Sequence, residues 1–269
     1  MRATRLWSCC RPRMSAGLRW SGIGTAALGV LLAAWLAGGR AAPPPPVQPL
    51  ARPLALIAAA RKSFAEVEDY TCLLVKRETM RGQLQPEQVI EMKVRNRPFS
   101  VHMRWQKPKA HEGQEVCYVA GRNNGLMRVK GPGLLGAIGF INLEPRDPKA
   151  MQTSKHSITE AGIGNLIERY AERWENEAKL NRTRVRVNDF EFNQRKCARI
   201  ETMHPGSKPG DFYAYRNVLF IDKENHLPIR SEMYDWPQPA GKPEGELMES
   251  FSFVDLKVNV KLPSDAFNH

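Results

Sequence analysis

From Tyr70 to Val258 the chain returns again and again to one pattern, apolar and polar residues in strict alternation. The cleanest instance is Phe99-Ser-Val-His-Met-Arg-Trp105. Phe99, Val101, Met103 and Trp105 share one parity; Ser100, His102 and Arg104 share the other. Successive side chains of an extended strand point to opposite faces, so this period of two predicts half-buried strands. The same reading gives strands over residues 70–78, 88–95, 99–105, 115–120 and 126–130, and again over 183–187, 197–203, 212–222, 229–234 and 247–258. Arg81-Gly82-Gln83 and Asn123-Asn124-Gly125 are turn signals between neighbouring strands. Two stretches have a helical period instead. Pro53 suits a first turn, ahead of a stripe of Leu54, Ile57, Ala58, Phe64 and Val67. Within 157–177, Ile163, Leu166, Ile167, Tyr170 and Trp174 fall on one helical face. The order is helix, about five strands, an apolar glycine-rich loop, helix, and about five more strands. The fold class is therefore α+β with one large antiparallel sheet, and a meander of that length tends to curl.

The N-terminus obeys a different rule. Arg2, Arg5, Arg11, Arg13 and Arg19 precede an uncharged apolar run from Gly22 to Gly38. A basic segment followed by an apolar one is the pattern of a signal peptide, and small residues at Gly39 and Ala41 suit cleavage. The run is also nearly long enough to span a bilayer, so residues 1–42 are read as a signal peptide or an N-terminal membrane anchor. In both cases the arginines stay inside and the body lies outside the cytoplasm, in the periplasm or an equivalent compartment. Residues 43–53, with Pro43 to Pro46, form a stiff Pro-rich linker. The domain proper is expected over 54–269.

Charge and motifs exclude more than they assign. The formal net charge is +12, but without residues 1–42 the body has 34 basic against 28 acidic residues. That is no nucleic-acid footprint. The charge is uneven: residues 76–130 hold 12 basic and 5 acidic side chains, and residues 224–255 hold 7 acidic and 2 basic. Such a polarised body could orient on an anionic membrane surface. Cys72, Cys117 and Cys197 are an odd count with no Cys-x-x-Cys, and each is read as a buried thiol. The six histidines have no metal-ligand spacing and are read as isolated surface residues. No nucleophile elbow, phosphate loop or cofactor motif is found, so no catalytic residue, metal or cofactor is assigned. Gly131-Pro-Gly-Leu-Leu-Gly136 matches a dinucleotide fingerprint in letters only, because Pro132 and antiparallel flanks contradict the required βαβ unit. The carboxylates Glu66, Glu68 and Asp69 are read as a solvated helix end.

The apolar faces Phe99/Val101/Met103/Trp105 and Phe212/Ala214/Val218/Phe220 admit two readings. They could be core packed against the helices, or they could line a concave sheet that holds an acyl chain. Leu134, Leu135, Ile138, Phe140 and Ile141 of the glycine-rich loop either pack on the core or cover such a cavity.

Asp69-Tyr-Thr-Cys-Leu-Leu-Val-Lys-Arg-Glu78, Val94-Arg-Asn-Arg-Pro-Phe-Ser-Val101, Ile158-Thr-Glu-Ala-Gly-Ile-Gly-Asn-Leu166 and the ending Leu262-Pro-Ser-Asp-Ala-Phe267 together resemble an exported bacterial family of unknown function, similar in turn to the periplasmic lipoprotein-carrier (LolA-like) fold. The resemblance spans roughly residues 54–268. It implies a strongly curved, unclosed half-barrel with helices across its concave face, and a cavity for acyl chains. No arginine of this chain matches the carriers' gating arginine. The expectation is a non-enzymatic protein binding lipid or lipoprotein acyl chains through Phe99, Val101, Met103, Trp105, Leu134, Leu135, Ile138 and Phe140, with 131–141 as a lid. The rival expectations are a membrane-tethered module for an envelope protein partner and, with no motif behind it, a hydrolase of envelope polymers.

Overall fold

The computed structural model describes residues 48–268; the span 1–42, read above as a signal peptide or anchor, and the first residues of the expected linker lie outside them. Helix α1 (Ala51–Ala65) starts inside the span expected to be linker. Strands β1 (Asp69–Met80), β2 (Gln83–Leu84), β3 (Gln88–Arg95), β4 (Ser100–Lys107), β5 (Glu115–Val119), β6 (Met127–Lys130) and β7 (Phe140–Leu143) follow in a meander. Helix α2 (Ile163–Leu180) crosses back, and β8 (Arg184–Phe192), β9 (Arg195–Met203), β10 (Arg216–Asp222), β11 (Pro228–Tyr234) and β12 (Leu247–Val258) complete a second meander. The two meanders join at their ends. β1 pairs with β12, giving one antiparallel sheet in the order β7-β6-β5-β4-β3-β1-β12-β11-β10-β9-β8, with β2 paired to β1. The sheet is curved and its edges, β7 and β8, do not meet, so the expected unclosed half-barrel is what forms.

Register turns parity into a core. Leu74 stands opposite Phe253 on one side and Ile90 on the other, and Ile90 opposite Trp105. The next row runs Met92, Met103, Val116, Val129 across four strands. Helix α2 lies against this face, and α1 packs on α2, adding Ile57 and Ala60 to the same core. The stripe Ile163, Leu166, Ile167, Tyr170 and Trp174 is buried throughout, with Tyr170 and Trp174 edge to face at 5.0 Å. Such a ring pair is worth about 1 kcal/mol beyond the area it buries.

The expected helix over 157–177 is two pieces. A short 3-10 turn, Ile158–Glu160, gives way to extended backbone at Ala161, then to Gly162, and α2 begins at Ile163. Gly162 has φ +95° and ψ 169°, a conformation open in practice only to glycine. A Cβ there would stand 2.6 Å from the Tyr70 hydroxyl. That hydroxyl, fully buried, accepts the first backbone N–H of α2, Ile163, at 2.9 Å. It satisfies a donor that no helical carbonyl can reach. Tyr70→Phe should leave that N–H buried and unpaired, costing about 2 kcal/mol in urea unfolding with an unchanged m-value.

The opposite face departs from simple alternation. Ser100, His102 and Cys117 are all buried there, and the C-terminal segment folds over Cys117. The Cys117 thiol reaches the Phe267 carbonyl, and the Arg95 guanidinium lies over the Phe267 ring at 5.0 Å. Asp69 is buried as well. Its carboxylate accepts the backbone N–H groups of Lys261 and Leu262, so it is an anchor for this segment and not part of a solvated helix end. In the second meander, strand β10 begins only at Arg216, and Val218 and Phe220 join Cys197 and Ile229 in a separate small cluster. Leu219 and Ile221, of the other parity, face the helices. The expected 212/214/218/220 face is thus not continuous. Of the chain's five cysteines, the three within the described residues, Cys72, Cys117 and Cys197, are free and buried.

Candidate functional site

Between the first meander and the N-terminal end of α2 lies a cavity of about 450 Å³, within the range of sites that hold small molecules. Its sheet wall carries Leu74, Ile90, Met103, Trp105, Val116 and Val129. Ile158, Ala161 and Leu166 form the opposite wall. The tip of the β6–β7 hairpin supplies the mouth. Residues 131–141, expected as an apolar glycine-rich loop, make a 3-10 turn (Gly133–Ile138) between β6 and the edge strand β7, which takes Phe140 and Ile141. Glycine at 131 has a local reason, because a Cβ would come within 2.7 Å of the Leu135 Cβ. The turn closes on itself, and nothing in it resembles a phosphate cradle.

The eight expected site residues are distributed unequally. Met103, Trp105 and Leu135 line the cavity. Val101 shares their parity but is sealed in the core. Phe99 borders a smaller hollow beside Phe64 and Tyr70. Leu134 and Ile138 point outward, 95% and 73% exposed, and Leu135 is 62% exposed at the mouth. Phe140 sits at the edge under Arg128 and Lys130.

The polar end of the cavity comes from residues to which no role was assigned. The inward parity of β1 runs Tyr70, Cys72, Leu74, Lys76, Glu78, so the buried face of one strand passes from apolar to charged. Across the β1–β12 ladder Glu78 stands opposite Glu249, and both are buried. Like charges so placed repel unless cations intervene. Two do. Lys76 Nζ donates to Glu78 at 2.9 Å, and His156 Nε2 lies 2.9 Å from Glu249. The other ring nitrogen, Nδ1, is 3.3 Å from Glu160, so His156 faces a carboxylate at each nitrogen and is suited to donate from both. Burial opposes its charge, but the hydrogen bond and charge of Glu249 outweigh burial and raise its pKa above the ordinary histidine value. Burial likewise pushes the Glu249 carboxyl up, and the bond and charge of His156 overcome it, leaving the pKa below the usual range. The Tyr213 hydroxyl, its pKa pushed up to about 12 chiefly by burial, donates to Glu249 at 3.3 Å.

His156 is therefore no isolated surface histidine. Nor are His102, buried 3.0 Å from Glu115, and His204, buried and stacked on Phe212 at 3.9 Å with Nδ1 2.7 Å from the Ala214 carbonyl. The sequence spacing of the histidines misses these pairings because sheet register makes them.

Glu78, His156 and Glu249 each bring one ligand atom within 4.8 Å of the others, a spacing that a divalent cation could bridge. The surrounding charge disfavours it. Lys76 already sits on Glu78, and Lys76, Lys149 and Arg169 line the cavity against a single lining carboxylate, Glu160. The polar end thus suits an anion better than a cation.

A family model described as a protein of unknown function, DUF1571, matches residues 67–269. The chain belongs to the DUF1571 family. Among curated proteins no relative matches it. Solved structures with a similar course of the chain include an uncharacterised conserved protein from Thermus thermophilus, 9% identical, covering 81% of this chain and 93% of that one at a TM-score of 0.46. The lipoprotein LppX of Mycobacterium tuberculosis is 14% identical, with 79% and 97% covered and a TM-score of 0.45. A putative outer membrane lipoprotein-sorting protein domain from Vibrio parahaemolyticus is 12% identical, with 79% and 95% covered and a TM-score of 0.38. No described helix of this DUF1571 member is long and apolar enough to cross a membrane.

Proposed function

We propose that this DUF1571 protein is a non-enzymatic, extracytoplasmic binder of lipid or lipoprotein acyl chains. The observation that carries the reading is the cavity itself, walled by aliphatic, methionine and tryptophan side chains and opening beside a hairpin tip whose leucines and isoleucine are left in solvent. Exposed apolar groups clustered at a cavity mouth mark a contact surface. Each acyl methylene moved from water into the cavity is worth about 0.8 kcal/mol, so about eight would supply roughly 6 kcal/mol before ordering costs. Arg128 and Lys130 beside Phe140 place positive charge next to the apolar tip, which favours approach to an anionic membrane surface.

The test is native mass spectrometry, with lipid extraction, on protein recovered from an exporting host without detergent. A bound mass is expected, and Trp105→Arg should remove it while leaving the circular dichroism spectrum unchanged. Trp105 is half-buried and its indole N–H donates to Gln88, so an arginine can reach the mouth without entering the core. A protein that carries no lipid and takes up no fluorescent fatty acid sinks the reading. The same exposed tip would then stand as the face for an envelope protein partner.

A further inference from the structure

The cavity has a charged end that an acyl chain does not need. Arg169, on α2, opens into it. Among the described residues its guanidinium makes one hydrogen bond, from Nη1 to the Glu160 backbone carbonyl at 2.9 Å, and no ion pair. A guanidinium has five N–H donors, so most of this one's capacity is unused. Its neighbours do not compensate. Glu160 is engaged by Arg146 and His156, and Glu249 by His156 and Tyr213. Arg173, one turn along the helix, adds a second cation nearby. Lys76 opens onto the same wall with bonds to Glu78 at 2.9 Å and Ser154 at 3.3 Å. The half-buried Arg169 guanidinium, with no carboxylate of its own among the described residues, stands at the end of an apolar cavity as the complement of an anionic head on a hydrocarbon chain.

We propose that Arg169 forms an anion subsite, with the Glu78-paired Lys76 beside it on the cavity wall, and that the ligand is an amphiphile with one acyl chain and a carboxylate or phosphate head. The proposal rests on the acyl-binding reading above and narrows it. A single cavity of about 450 Å³ favours one chain over the several chains of a mature lipoprotein anchor. The chain lies along the Leu74, Ile90 and Met103 wall, and the head is bidentate on Arg169.

The experiment compares, on the full exported chain stripped of bound lipid, the affinities of a long-chain fatty acid, a monoalkyl phosphate and a fatty alcohol of equal chain length, and inorganic phosphate alone. The acid or the alkyl phosphate should bind at least tenfold more tightly than the alcohol, and which of the two binds better names the head. In Arg169→Gln that preference should collapse while alcohol affinity stays within twofold, which also shows the variant to be folded. The wild-type comparison needs no variant. Equal binding of acid, phosphate and alcohol overturns the anion subsite and leaves the acyl-binding reading standing. Inorganic phosphate displacing nothing, while the amphiphiles bind, supports the need for a chain. Inorganic phosphate binding as tightly as the alkyl phosphate overturns the amphiphile. No binding of any chain overturns both readings.

Discussion

Gly162→Val is expected to destabilise the domain by at least about 4 kcal/mol, through three coupled losses. The backbone at φ +95°, ψ 169° is a region that a β-branched residue enters at a cost of about 1–3 kcal/mol. The new side chain would also collide with the Tyr70 hydroxyl, whose oxygen lies 2.6 Å from the Cβ position, and overpacking of a full core costs about 1–3 kcal/mol. Displacing Tyr70 then strands the Ile163 N–H, the same loss that Tyr70→Phe isolates. Because the terms share one contact, the double variant Tyr70→Phe with Gly162→Val should cost less than the sum of the single variants. Urea titration measures all three proteins. A Gly162→Val midpoint within 1 kcal/mol of wild type would show that the 158–163 segment relaxes freely. Ligand uptake should fall with stability, since Ile158, Ala161 and Gly162 line the cavity.

His156→Leu is expected to cost about 3–5 kcal/mol near pH 6, because it leaves Glu249 buried opposite Glu78 without its cation. The pH dependence identifies the cause. The raised pKa of His156 means that its contribution is complete below about pH 6.5 and declines as pH rises through the folded-state value. The lowered pKa of Glu249 means that its contribution is complete above about pH 4.3 and declines as pH falls through its own folded-state value. Wild type should therefore hold its pair energy fully between those limits and lose part of it on the alkaline side. Other charges face the ring, Glu78 from β1, Glu160 from the 3-10 turn and Arg169 from α2, but only Glu249 is in direct contact from the sheet. The difference between wild type and His156→Leu should narrow as pH rises above 7. A difference constant from pH 5 to 9 would mean that the ring acts by packing on Phe251, 5.7 Å away, and not by charge.

Much of the fold was legible because a period of two survives in strands buried on one face. Tyr70 to Glu78, Gln88 to Arg95 and the helical stripe from Ile163 to Trp174 all lie where alternation or helical spacing places them. Strand β7 was not legible, since Phe-Ile-Asn-Leu at a sheet edge follows a glycine-rich apolar tip and carries no alternation. The buried His102 was not legible as such, because its partner Glu115 is set by the β4–β5 register and not by local spacing. The site was half legible. Parity extended by two steps past Leu74 points Lys76 and Glu78 inward, and that signal was available. Glu249, His156 and Arg169 join them only through strand register and helix placement, which no local spacing reveals.

Pairing β1 with β12 puts the first and last strands of the domain at the centre of its sheet. The central ladder and its anchored C-terminal segment must wait until the last residues of the chain are present. Long-range pairing of this kind slows folding, because the loop between the partners must close before its contacts are gained. A ribosome-bound chain that still lacks its last strand holds two unfinished meanders, each with an open edge where the other belongs. Topology alone therefore leaves an incomplete chain without its central ladder, and lets the sheet lock only once its last strand is present.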